Sequence, residues 1–178
     1  MKTSAFAGFA VLVCLLFGAS PTAALEAACL WDNLAPAKRA EVMRLYRANG
    51  LSALNRIPLV DADLKGWTTR CGVTMANIEA TGHLFGTIVI EKGAIEILSE
   101  EFGVTEVALK AAWEGVTPTA RASLRRLAVE VMSTGKATRE DRAAGEQVLR
   151  ALKLPRQART QVNLYLTALT MREVLNGR

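Results

Sequence analysis

The chain has 178 residues, is 51% apolar with few aromatics, and carries a formal net charge of +5. Such a composition excludes a low-complexity or disordered polymer and suits one domain or two closely packed halves. The charge is unevenly spread: residues 25–114 hold 9 Lys and Arg against 12 Asp and Glu (net −3), whereas residues 115–178 hold 12 against 5 (net +7).

The chain opens with Lys2 and an apolar run from Ala5 to Ala19, broken by Ser20 and Pro21. That is the pattern of a secretory signal peptide, and the small residues Thr22 and Ala24 place cleavage after Ala24. The run is short for a membrane span, which wants roughly 20 apolar residues. Cys14 lacks the small residue before it that lipoprotein processing needs, so no lipid anchor is expected. Residues 1–24 are therefore read as a signal peptide, and the product as exported, periplasmic or secreted, with no membrane span after cleavage. Two cysteines remain, Cys29 and Cys71, and an exported chain with two cysteines most simply joins them in one disulfide.

Trp31 to Leu45 reads WDNLAPAKRAEVMRL, and 82 positions on, Trp113 to Leu127 reads WEGVTPTARASLRRL. Six of the fifteen aligned positions are identical. In each copy a proline, Pro36 or Pro118, falls at the first position of a helix, where its missing N–H costs nothing. Thr117 supplies a capping hydroxyl in the second copy, whereas Ala35 supplies none in the first. Val42, Leu45 and Tyr46 keep helical spacing up to Asn49 and Gly50, as Leu124, Leu127 and Ala128 do in the second copy, which runs to Gly135.

Asp61 and Asp63 precede LKGW and are expected to cap the helix that follows. A long apolar segment then starts at Thr74, read as its N-cap. Within it Thr87–Ile97 has a local rival, a hairpin around Lys92-Gly93, but no other strands are in prospect and a lone hairpin is marginal. Helix is the reading adopted. Gly82 and Gly86 have the spacing that lets two helices approach closely. Thr138, with Glu140 and Asp141, resembles a capping box opening a helix with the stripe Ala144, Val148 and Leu152. Pro155 opens the last helix, whose stripes Val162, Tyr165, Leu166, Leu169 and Leu164, Ala168, Met171, Leu175 predict cover on two sides.

The expected fold is all-α: a bundle of about 7–8 helices, one disulfide, and two degenerate repeats packed as one compact domain, residues 25–104 and 105–178. Each unit is a short helix ending near a Trp, a Pro-started helix, a connecting helix and a long buried one. At the same shift Cys29 falls on Ala111 and Cys71 on Leu152 or Lys153, so an apolar contact between Ala111 and Leu152 is expected in place of the disulfide.

No catalytic constellation is legible, and no catalytic, cofactor-binding or metal-binding residues are assigned. His83 and Glu79 share a helical face, but a metal needs further ligands and there is no second His. The basic second half, with Arg121 and Arg125, Arg142 and Arg150, Lys153, Arg156 and Arg159, offers a positive face. Stacking aromatics are scarce, with Tyr165 alone after Trp113, so nucleic acid is not the expected partner. The function expected is a non-enzymatic interaction or assembly module whose basic half meets a protein partner or an anionic envelope component. The alternative is a small-molecule or lipid-binding domain with a pocket between the units, walled by Phe85, Ile88, Tyr165 and Leu169.

Overall fold

The structure, a computed structural model, describes residues 27–134 and 143–175. The segment read as a signal peptide, Cys14, Gly135, the capping box expected at Thr138 and Arg142 lie outside the described residues. All regular structure is helical: α1 (Ala27–Asp32), α2 (Pro36–Asn49), a 3-10 segment (Gly50–Arg56), α3 (Asp61–Arg70), α4 (Ile78–Phe102), α5 (Glu106–Glu114), α6 (Pro118–Thr134), α7 (Ala143–Ala151), a 3-10 turn (Arg156–Ala158) and α8 (Arg159–Leu175). The all-α expectation holds, with eight α-helices among the described residues, and Thr87–Ile97 is helix. Its β-branched residues lower helix propensity only slightly, and burial along the helix decides the matter.

Cys29 and Cys71 form the disulfide, with Cα atoms 5.7 Å apart. It ties α1 to the end of α3. Behind it Trp67 of α3 donates its indole N–H to the carbonyl of Leu30 at 2.8 Å, and Asn33 Nδ2 donates to the carbonyl of Cys29 at 3.0 Å.

Two apolar clusters make up the core. One gathers residues from Ala27 to Val89, including Leu30, Tyr46 and Trp67; the other runs from Ala94 to Leu169, including Leu109, Trp113 and Val148. The changeover falls inside α4, between Val89 and Ala94, so that helix serves both clusters. Leu175, at the end of α8, returns the exchange by packing against the first. α4 and α8 pack along each other as the central pair. The two-sided burial expected of α8 holds for Val162, Tyr165, Leu166, Ala168 and Leu169, whereas Leu164, Met171 and Leu175 are only half-buried.

Local pairing is alike at the two motif copies. Asn33 N–H donates to the Cys29 carbonyl, Leu34 to Trp31 and Arg39 to Ala35; 82 positions on, Gly115 donates to Ala111, Val116 to Trp113 and Arg121 to Thr117. After α3, Gly72 takes φ +70°; after α7, 81 positions on, Lys153 takes φ +53°, a conformation a residue with a Cβ rarely adopts. The expected contact of Ala111 with Leu152 does not form part of the core, because Ala111 is exposed; Ala108, Ala112 and Leu152 pack against the second cluster instead.

Other expectations need correction. Thr74 is not the cap of α4: Asn77 is, its Oδ1 accepting from the Thr74 N–H at 2.7 Å, so a turn with its own hydrogen bond delays the helix to Ile78. α8 begins at Arg159, one 3-10 turn after Pro155. Asp63 Oδ2 accepts from the Val60 N–H at 3.0 Å, which makes Asp63 the capping carboxylate, while Asp61 is the first residue of α3. The close approach between helices is at neither Gly82 nor Gly86. A Cβ on Gly82 would meet nothing within 4 Å, and on Gly86 only Leu54 at 3.9 Å; the tight sites are Gly93, covered by the Tyr46 ring, and Gly145, covered by the Asn163 amide.

Candidate functional site

Two concavities bring together residues singled out by the sequence. The larger, about 830 Å³, is a groove between α6 and α8. Its apolar lining comes from Trp113, Pro118, Ala122 and Val129, and Val129 is about half exposed although it follows the buried Leu124, Leu127 and Ala128 on the same helix. Arg121, Arg125 and Arg126 stand along it, with Glu130 and Glu173. Successive turns of α6 put Arg121 and Arg125 four residues apart on one face. Arg121 is held in place: its guanidinium lies 5.1 Å above the Trp113 ring, its Nε donates to the carbonyl of Val116 at 3.0 Å, and an Nη donates to the carbonyl of Glu114. Arg125 reaches Glu173 at 3.4 Å and Arg126 reaches the Ser123 hydroxyl at 3.4 Å. Both contacts are exposed and weak by geometry.

Among the described residues, Arg150, Lys153, Arg156 and Arg159 of the expected basic face do not line this groove. Arg159 pairs with Glu146 at 2.6 Å, and Lys153 lines a separate concavity with Phe102, Leu152 and Leu154.

The second concavity, about 480 Å³, lies between the central helices and the two short Trp-bearing ones. Ile88, Tyr165 and Leu169, three of the four expected walls, line it; Phe85 does not, since its ring packs on Trp67 with centroids 4.9 Å apart. The expectation of an apolar pocket is corrected by the charges there. Trp31 with Trp113 and Asp32 with Glu114 face it at a shift of 82, and Ile88 with Leu169 and Glu91 with Arg172 at a shift of 81. The sequence reading missed Glu91 and Arg172; the available signal was a charge beside the apolar stripe of each long helix, at positions 81 apart.

Glu91 is buried, and Arg172 Nη1 stands 2.8 Å from its Oε2. The pair is close but poorly aligned, leaving that oxygen without a well-formed hydrogen bond. Burial, the largest influence, lifts the Glu91 carboxyl above its ordinary 4.5 against the pull of Arg172 and Lys92. Burial also pushes the Tyr165 phenol up to about 12, helped by the negative charges of Glu91 and Glu106.

His83 and Glu79 lie 3.9 Å apart on an exposed surface, and no group of three or more His, Cys, Asp or Glu suited to a metal occurs among the described residues. No described helix is long and apolar enough to cross a membrane. Comparison with family models, with curated proteins and with solved structures gave no match.

Proposed function

We propose that this chain is an exported, non-enzymatic interaction module, built from two copies of a helical unit, that receives an acidic segment of a partner protein in the groove between α6 and α8. The observation that carries the reading is the combination of an apolar floor, with half-exposed Val129, and three arginines on one helix. Apolar lining offers a driving force that is non-directional, and the arginines select the sign of the guest. The concave shape favours an inserted segment over a flat lipid surface, because a helix laid in a groove buries its apolar face on both sides. The net +7 of residues 115–178 adds long-range attraction for anionic partners. Export is supported by the leader-like residues 1–24 and is compatible with the disulfide.

The test uses residues 25–178 and an acidic amphipathic helical peptide as probe, with a charge-reversed peptide and anionic vesicles as controls. The acidic peptide binds and weakens at least about tenfold between about 0.05 and 0.5 M salt, and the double variant Arg125→Glu with Arg126→Glu loses binding. Equal binding of both peptides, or binding to vesicles alone, overturns the proposal.

A further inference from the structure

The cleft between the two Trp-bearing helices has a chemistry different from the groove. Its lining carries four cations (Lys92, Lys110, Arg121, Arg172) and five carboxylates (Asp32, Glu91, Glu106, Glu114, Glu173) around two indoles. Seven of these are already engaged: Glu91 with Arg172, Lys92 with Glu106 at 3.5 Å, Glu173 with Arg125, Asp32 with Arg39 at 3.9 Å, and Arg121 with backbone carbonyls. Two are not. The Lys110 ammonium and the Glu114 carboxylate have no ion-pair or hydrogen-bond partner among the described residues, and they lie four apart on α5, hence on one face.

We infer that this cleft binds a small zwitterion of amino-acid size, its carboxylate on Lys110, its ammonium on Glu114, and its apolar side group against Trp31 and Trp113. A volume near 480 Å³ lies within the range of small-ligand sites. An anion alone would leave Glu114 unanswered and bring its charge near the cleft's five carboxylates; a cation alone would leave Lys110 unanswered. A zwitterion satisfies both and adds no net charge. Indole faces supply large, rigid contact area for the side group. Glu91 and Arg172, compensating each other at the floor, keep the base of the site polar without selecting a sign.

The site is separate from the proposed peptide groove, although Trp113, Arg121 and Glu173 touch both. The experiment is calorimetric titration of residues 25–178 with phenylalanine, leucine and methionine. Phenylalaninamide, which lacks the carboxylate, and N-acetylphenylalanine, which lacks the ammonium, serve as probes of each contact. At least one of the three amino acids binds, and blocking either end of phenylalanine weakens it about tenfold or more. Lys110→Met removes the preference over the amide, and Glu114→Gln removes the preference over the N-acetyl form. Both residues are exposed, so both variants fold. The groove variant Arg126→Glu, whose side chain lines the groove and not the cleft, leaves amino-acid binding unchanged, which separates the two sites. No binding of any of the three up to about 10 mM, or equal binding of phenylalanine and its two blocked forms, overturns the inference.

Discussion

The ring of Tyr46 occupies the space a side chain at Gly93 would need: a Cβ there would stand 3.0 Å from Cγ of the tyrosine and closer still to Cδ1 and Cε1. The contact joins α2 to the middle of α4, where the chain passes from one apolar cluster to the other. Gly93→Ala is therefore expected to destabilise by about 3 kcal/mol through overpacking, read from denaturant unfolding. The Tyr46 hydroxyl is buried with no hydrogen-bond partner among the described residues, and burial raises its pKa. Tyr46→Phe removes that unpaired group and is expected to be neutral or stabilising by about 1 kcal/mol. A large loss from Tyr46→Phe would show that the hydroxyl is satisfied in solution.

The disulfide links positions 42 apart, for which loop-closure entropy allows about 4 kcal/mol at most. Reduction, or the double change Cys29→Ala with Cys71→Ala, is expected to lower the melting temperature by more than 5 °C or so. The mass of the protein recovered from the cell envelope should correspond to residues 25–178 less two hydrogens. A chain retaining residues 1–24 would contradict cleavage after Ala24, and one carrying both thiols free would contradict an oxidising compartment.

Glu91 gives the fold a pH dependence. Its carboxyl is raised by burial, so the folded state favours the protonated form; that stability is fully present below about pH 4.5 and is lost as pH rises through the raised folded value. Glu91→Gln should melt with the native chain at pH 4 and above it at pH 7. Arg172→Met should do the opposite at pH 7, because it strands a buried carboxylate. If Glu91→Gln is the less stable at pH 7, the ion pair outweighs the burial.

At the alkaline end Tyr165 acts in the same sense. With a folded pKa of about 12 against an ordinary 10.0, its contribution is present below pH 10 and is lost as pH rises through 12, by up to about 3 kcal/mol. Tyr165→Phe should flatten the fall in stability between pH 10 and 12, leaving a smaller fall from Tyr46. An unchanged alkaline profile would show that Tyr165 is solvated.

Much of the architecture was legible because helix punctuation is local chemistry. Pro36 and Pro118 do start helices, and Thr117 accepts from the Ala120 N–H at 3.4 Å where Ala35 makes no side-chain cap. Cys29 and Cys71 could be paired by counting. What failed depended on partners remote in sequence. Gly82 and Gly86 carry the spacing for close packing, but close packing needs a neighbour, and the neighbour, Tyr46, faces Gly93. Thr74 is an adequate cap until Asn77 takes its amide. The pocket walls Ile88, Tyr165 and Leu169 were found from their apolar stripes, yet the charges that set the character of the cleft, Glu91 and Arg172, read as interruptions of those stripes rather than as a pair.

The claim that the α6–α8 groove receives an acidic segment is tested most directly by mapping amide chemical shifts of residues 25–178 as the acidic peptide is added. Perturbations centred on Ala122, Arg125, Val129 and Thr170, fading as salt is raised, are the predicted result. Perturbations centred instead on Trp31 and Glu91, or spread evenly over basic residues such as Arg150 and Lys153, would contradict it.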